Sequence, residues 1–167
     1  MLNNKMKNKI ELISLNIENV EIFITNRLVR LQGFEITEDI LPQIVANDAL
    51  TRFKNGQDWF WCSPRLFVHS EMGNVVGSAC FKNSPKDGLV EIGYGVLELY
   101  SGKGFATAGV AMILKEAFSK PEVKGITAET SVDNIASQRV LEKNGFTKTG
   151  TREDAEDGSL ITWQCMR

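Results

Sequence analysis

Between Leu66 and Val96 the apolar positions gather into three short β-prone runs, Leu66–His69, Val75–Phe81 and Leu89–Val96. The separators Met72-Gly73-Asn74 and Ser84-Pro85-Lys86-Asp87-Gly88 are rich in turn formers, so the three runs predict an antiparallel meander. The period then lengthens. Phe105, Ala108, Met112, Ile113 and Ala117 share one helical face and Pro121 ends the run, which predicts the longest helix of the chain. Ile126–Thr130 reads as a strand, and Asn134 can cap a short helix through Lys143 that closes on Asn144-Gly145. Phe146–Gly150 and Leu160–Met166 supply two last strands, with Asp157-Gly158 as a tight-hairpin signal. Nearer the start, Leu28–Leu31 looks like a first strand. Ile40, Leu41, Ile44 and Val45 then recur at helical spacing behind Asp39, which would cap a helix with Pro42 in its first turn. Residues 1–24 are Asn- and Lys-rich, then weakly apolar, and read as an N-terminal extension or edge element before a single domain over residues 25–167. The order of elements, without repeats, is that of an α+β layer fold on a mixed sheet.

Length and composition narrow the class. A chain of 167 residues supports one buried core, and 43% hydrophobic with 24% charged residues is a globular composition. No apolar run reaches membrane-spanning length, and Glu11, Asn16 and Glu18 break up the stretch after Lys5, Lys7 and Lys9, so a signal peptide and a membrane are not expected. A cytoplasmic location is expected instead. A net charge of -2 and a pI near 5.5 argue against a nucleic-acid partner, whose footprint is a basic patch. Cys62, Cys80 and Cys165 are odd in number and lack CxxC spacing, so neither a disulfide framework nor a metal site is expected. The sole histidine, His69, ends an apolar run and reads as structural.

Chemistry concentrates between Leu89 and Thr107, where a strand passes through a Gly-rich turn, Ser101-Gly-Lys-Gly-Phe-Ala106, into a helix. Gly102 and Gly104 allow close backbone approach, and the first N–H groups of the helix point at whatever lies before it, which makes the junction an anion site. Two nucleotide motifs fail on detail. A P-loop would need Gly where Leu97 stands and Ser or Thr where Gly104 stands; a dinucleotide fingerprint would need its third Gly at Thr107.

In these residues the chain resembles the GNAT acyltransferases, and within them the branch of ribosomal-protein N-terminal acetyltransferases. The resemblance runs from about Thr25 to the end. It rests on Thr25-Asn-Arg-Leu28, Glu91-Ile-Gly-Tyr94, Gly102-Lys-Gly-Phe-Ala-Thr107, Asn134-Ile-Ala-Ser137 and Val140-Leu-Glu-Lys-Asn-Gly-Phe146, in that order. The family loop Gln/Arg-x-x-Gly-x-Gly/Ala falls on Ser101, Gly104 and Ala106, so Ser101 replaces the usual long polar residue.

What the resemblance implies is a mostly antiparallel mixed sheet with a splayed central parallel strand pair and helices on both faces. Its co-substrate would be acetyl-coenzyme A, with no metal. Tyr94, Gly95 and Val96 would pair with pantetheine, Gly93 and Gly95 marking a bulge. Ser101, Gly102, Lys103, Gly104, Phe105 and Ala106 would hold the pyrophosphate, with Asn134 and Ser137 beside it. Transfer to a primary amine, a protein N-terminus or a small molecule, would proceed by direct attack without an acyl-enzyme. Such an amine must first lose its proton, for which Glu91 is the first candidate base and Glu156 the rival. Relatives often carry a tyrosine where this chain has Leu141, so Ser137 is the candidate donor to the departing sulfur. Trp59 and Trp61 fall in the variable acceptor-side segment and could wall a substrate pocket. A monomer or homodimer is expected. The departures at Ser101 and Leu141 keep open a second reading, an acyl-coenzyme A binding or sensing module without turnover.

Overall fold

The computed structural model describes residues 9–167; the first eight residues of the expected extension lie outside the described residues. A seven-stranded mixed sheet carries the architecture, in the spatial order β1-β4-β5-β6-β7-β9-β8. Its strands are β1 (Ile10–Ser14), β4 (Arg65–His69), β5 (Asn74–Phe81), β6 (Leu89–Val96), β7 (Gly125–Ser131), β8 (Thr147–Asp154) and β9 (Gly158–Met166). A separate hairpin pairs β2 (Val29–Leu31) with β3 (Phe34–Ile36). The helices are α1 (Ile17–Asn26), α2 (Gln43–Lys54), α3 (Trp59–Cys62), α4 (Phe105–Phe118) and α5 (Ile135–Lys143). No helix among the described residues is long and apolar enough to cross a membrane.

Two apolar clusters, one on each face of the sheet, arise from strand alternation. Phe67, Val76, Phe81, Val90, Ile92, Ile126, Ala128 and Trp163 meet Phe105, Val110, Ile113 and Ala117 of α4. Leu66, Val68 and Val75 meet Val20 and Phe23 of α1 and Leu41, Ala46 and Leu50 around α2. Helices therefore cover both faces. Buried guanidinium groups brace the α3 side. Arg65, 1% exposed, lies between the rings of Phe60 and Phe81 and donates to Glu116 at 2.9 Å. Arg52 donates to the carbonyls of Phe81 at 2.7 Å and Trp61 at 2.9 Å.

The meander forms where the sequence places it, and so do the long helix, β7 and the Asn134-capped α5. The N-terminal third differs. Leu28–Leu31 is not the first strand of the sheet: Val29–Leu31 belongs to the small hairpin, and the sheet edge is β1, antiparallel to β4 from Ile10↔His69 to Ser14↔Arg65. Asp39 does not cap α2, which begins after Pro42 without a side-chain cap. Ile40 and Leu41 instead lie in the turn before it, buried against the sheet. The last hairpin is also longer than its apolar runs. Asp154 Oδ1 accepts from the N–H groups of Glu156 and Asp157, and Gly158 takes the left-handed conformation, so three residues make the loop.

The one parallel contact among the described residues is the feature that positions the site. β6 pairs with β7 only over Leu89–Glu91 against Gly125–Thr127, although β6 runs on to Val96 and β7 to Ser131. On its other side β6 stays with β5 as far as Val96↔Gly77. Gly77 permits this closeness: a Cβ there would overlap the Gly95 carbonyl oxygen and lie 2.9 Å from Val96 Cα. Gly77→Ala is accordingly expected to cost about 1–3 kcal/mol of stability, measured by urea unfolding, because two backbones must move to admit one methyl group. The ladder between β5 and β6 is regular through Gly93 and Gly95, so the bulge expected at those glycines is absent.

Candidate active site

After β6 the chain makes one 3-10 turn (Glu98–Tyr100), passes Ser101, and enters α4 at Phe105. Gly102 and Gly104 both have positive φ, 72° and 82°. No side chain caps α4, and its first helical bond is Ala108 N–H to Gly104 C=O at 3.1 Å. The N–H groups of Phe105, Ala106 and Thr107 thus have no acceptor among the described residues. Three aligned donors at the positive end of a 14-residue helix are suited to an anion.

These groups open onto a cavity of about 490 Å³ between the loop, the end of β6 and α5. Tyr94, Gly95 and Val96 line it, as do Ser101, Gly102, Gly104, Phe105 and Ala106, with Asn134 and Ser137 opposite. Of the expected coenzyme residues only Lys103 is not in the wall; its ammonium stands over the Tyr100 ring, 5.7 Å from the centroid. Arg139 and Lys143 of α5 also line the cavity, and sequence reading missed them. Their signal was available: two cations four apart on a helix whose capped end faces the loop. The donor set fits a pyrophosphate, and the edge of β6 from Ile92 to Val96, released from β7, fits the extended amides of a pantetheine arm.

Asn134 has a structural task as well, its Oδ1 accepting the Ser137 N–H at 3.0 Å. Ser137 Oγ is 2.7 Å from the hydroxyl of Tyr94, and that hydroxyl also lies 3.1 Å from the Ser137 carbonyl oxygen. Burial raises the Tyr94 phenol above its ordinary value, more than the bond to Ser137 lowers it. Leu141, one turn on, is fully buried in the core.

A second cavity, about 230 Å³, shares Tyr94, Gly95 and Val96 with the first. Ile40, Pro42 and Val45 wall it on the α2 side, and Cys80, Lys82 and Gly93 on the sheet, with Asp39 at the exposed rim. Gly93 and Gly95 act here as floor, because a Cβ at Gly95 would meet nothing within 4 Å. Cys80 is a thiol held above its ordinary pKa by burial, as are Cys62 and Cys165, which makes each a poor nucleophile.

Glu91 lies on the same face of β6 as Gly93 and Gly95 but lines neither cavity. Its Oε1 is 3.1 Å from Lys82 Nζ, and Lys82 stands in the wall of the second cavity. Burial works to lower the Lys82 pKa, but the Glu91 carboxylate beside it leaves the net shift upward, so the ammonium keeps its proton. Glu156 sits exposed in the β8–β9 loop and lines neither cavity. Nearby, Arg152 binds Glu129 through two bonds of 2.6 and 2.7 Å and Asp154 through one of 3.0 Å. Those bonds hold the Glu129 carboxyl below its usual range; Asp154 is held low chiefly by the backbone N–H groups of Asp157 and Glu156, with Arg152 adding to them.

The two tryptophans assigned to an acceptor wall are used in packing. Trp59 donates its indole N–H to the Leu15 carbonyl at 3.0 Å and meets Phe53 edge-on; Trp61, 6% exposed, packs between Phe60 and Phe81. Neither lines either cavity, since α3 turns both rings toward the core. His69 is buried beside Phe105 and accepts the Met72 N–H at Nδ1, the structural use expected of it.

Comparison with known proteins agrees with this geometry. The N-acetyltransferase YjdG of Bacillus subtilis, whose function is uncharacterized, is 32% identical over 82 residues, 48% of this chain and 49% of its own, so the match spans about half that relative's length. Among solved structures, the ribosomal L7/L12 α-N-protein acetyltransferase RimL in complex with coenzyme A superposes with a TM-score of 0.68 at 15% identity, over 96% of both chains. The aminoglycoside acetyltransferase AAC(6')-Ib in complex with coenzyme A superposes with a TM-score of 0.65 at 18% identity, over 95% of both chains. At such identities these likenesses speak for the fold. The sequence profile of the acetyltransferase (GNAT) domain matches residues 21–147, a stretch that holds the splayed strand, the glycine loop and the helix beside it, and the chain belongs to the GNAT acetyltransferase family.

Proposed function

We propose that this protein transfers the acetyl group of acetyl-coenzyme A to a primary amine, and that its acceptor carries a single positive charge, as a polypeptide α-amine does. One observation carries the reading: an anion-binding helix start and a second, smaller cavity meet along Tyr94, Gly95 and Val96. The pyrophosphate would rest on the N–H groups of Phe105 to Thr107, and the pantetheine arm would extend along β6. The amine would enter the smaller cavity over Gly93 and Gly95 and attack the thioester carbonyl. The new bond is N–C, the bond broken is C–S, the electron pair leaves on sulfur and the amine proton leaves to water, so none of the three cysteine thiols is needed.

Charge supports the choice of acceptor. On the sheet beside the cavity Glu91 is tied to Lys82, and Glu129 and Asp154 to Arg152. Asp39 is the lining carboxylate without an ion pair or hydrogen bond among the described residues, so a polyamine would bring more ammonium groups than it could find partners for. With acetyl-coenzyme A, a short peptide amide bearing a free N-terminus is expected to be acetylated at higher kcat/KM than spermidine. Gly95→Val should raise the peptide's KM by about tenfold or more by filling the floor of the smaller cavity, and because Gly95 also lines the coenzyme cavity, coenzyme affinity is measured alongside by calorimetric titration. Equal turnover of spermidine would refute the charge argument, and coenzyme binding without turnover of any amine would favour the sensing module.

A further inference from the structure

The proposed reaction releases a thiolate, and Leu141, one turn along α5 from Ser137, is buried and offers it no hydrogen-bond donor. Tyr94, on β6, reaches α5 and meets both polar atoms of Ser137, Oγ at 2.7 Å and the carbonyl oxygen at 3.1 Å. Tyr94 lines both cavities, and Ser137 the coenzyme cavity.

The phenol has one hydrogen and two neighbours that can accept it, so the pair has two arrangements. In one, Tyr94 donates to the Ser137 carbonyl and Ser137 Oγ–H donates to the phenol oxygen, leaving nothing for a ligand. In the other, Tyr94 donates to Ser137 Oγ, and the serine hydrogen is free to turn into the coenzyme cavity. A thiolate there selects the second arrangement, because a hydrogen bond to a charged acceptor outweighs one between neutral groups. Chained donors also polarise one another, so the serine donates more strongly with the phenol behind it.

The geometry points to Tyr94 as a positioning residue for the leaving group, acting through Ser137 to aim and strengthen one hydrogen bond to the coenzyme sulfur. This rests on the acetyl-transfer reading and adds to it a role that the Tyr94 side chain plays through another residue. The pair supplies hydrogen bonds only. Burial keeps the phenol protonated, so Tyr94 is a donor and not a source of the proton that the thiolate finally takes from water.

The test needs no acceptor. Free coenzyme A is bound to the full chain and its thiol is titrated by the ultraviolet absorbance of the thiolate. In the wild-type complex the thiol should ionise below the ordinary value of about 8.5, and Ser137→Ala and Tyr94→Phe should each reduce its ionisation constant by about tenfold. The double variant Tyr94→Phe with Ser137→Ala should match Ser137→Ala alone, and Ser137→Thr should restore the wild-type titration. Affinity for coenzyme A should differ little at a pH low enough to keep the thiol protonated in every complex, and should fall by about tenfold in the variants only where the wild-type bound thiol is ionised, a pH dependence that a general loosening of the cleft would not give. A Tyr94→Phe complex that titrates like wild type overturns the inference, as does a further shift when Tyr94→Phe is added to Ser137→Ala. Failure of the wild-type chain to bind coenzyme A at all would instead refute the transferase reading on which it rests.

Discussion

Gly104→Val is expected to weaken acetyl-coenzyme A binding by about a hundredfold or more, while Lys103→Ala weakens it only a few fold, as read by calorimetric titration. The reason is conformation and not space. A Cβ at Gly104 would meet nothing within 4 Å, yet the residue sits at φ 82°, where a β-branched side chain is strained by about 1–3 kcal/mol. Relief of that strain rotates the peptide groups that aim the N–H donors of Phe105 and Ala106, and each charge-assisted bond lost is worth about 1.5–3 kcal/mol. Gly104→Asn should fall between wild type and valine, because asparagine tolerates the left-handed region. Lys103 has little to lose, its ammonium lying over Tyr100 and outside the cavity wall. A larger loss for Lys103→Ala than for Gly104→Val would mean that a point charge, and not the backbone, holds the phosphates.

Glu91→Gln should lower turnover of the peptide acceptor by about a hundredfold, the usual scale for loss of a general base, with coenzyme affinity unchanged. Glu91 lines neither cavity and pairs with Lys82, which lines the smaller one, so a proton taken from an amine there would have to reach the carboxylate through water. In the wild type Lys82 is held protonated by that same carboxylate, but in Glu91→Gln burial is left to lower its pKa, so Lys82→Met is added to Glu91→Gln to show that no neutral lysine takes over. The defect should shrink as pH rises toward the α-amine value of about 8, above which the acceptor is already neutral. Glu156→Gln, at the exposed loop, should keep wild-type turnover across the range. The opposite pattern, loss at Glu156 and none at Glu91, would move the base to the β8–β9 loop; no loss at either would mean that desolvation alone supplies the neutral amine.

The local elements of the second half of the chain were legible in the sequence because each is set by short-range physics. Alternation fixes β5 and β6, a 3.6 period with Pro121 behind it fixes α4, and Asn134 and Asn144-Gly145 bound α5. The shape of the glycine loop was legible for the same reason, since the conformations of Gly102 and Gly104 are local properties of two residues without Cβ. The first half was harder to read. β1 takes its place only by pairing with β4, more than fifty residues on, and Pro42 rather than Asp39 precedes α2 because Ile40 and Leu41 are drawn into the core ahead of it.

Site chemistry divides along the same line. The glycine spacing named the loop, and the resemblance to the acyltransferase family pointed to Glu91, Ser137 and Gly95. What each does depends on partners distant in the chain: Lys82 in front of Glu91, Tyr94 against Ser137 43 residues away, Arg152 on the carboxylates of Glu129 and Asp154. Trp59 and Trp61 look like a pocket wall as a motif and are core because α3 turns them inward. Gly93 and Gly95 look like a bulge and are a floor, because the ladder to β5 runs through them unbroken. Sequence by itself determined the elements, the anion-binding turn and the family; only the tertiary structure decided which side chains share a cavity, because hydrogen bonds and ion pairs across the sheet depend on strand register and packing that no local pattern encodes.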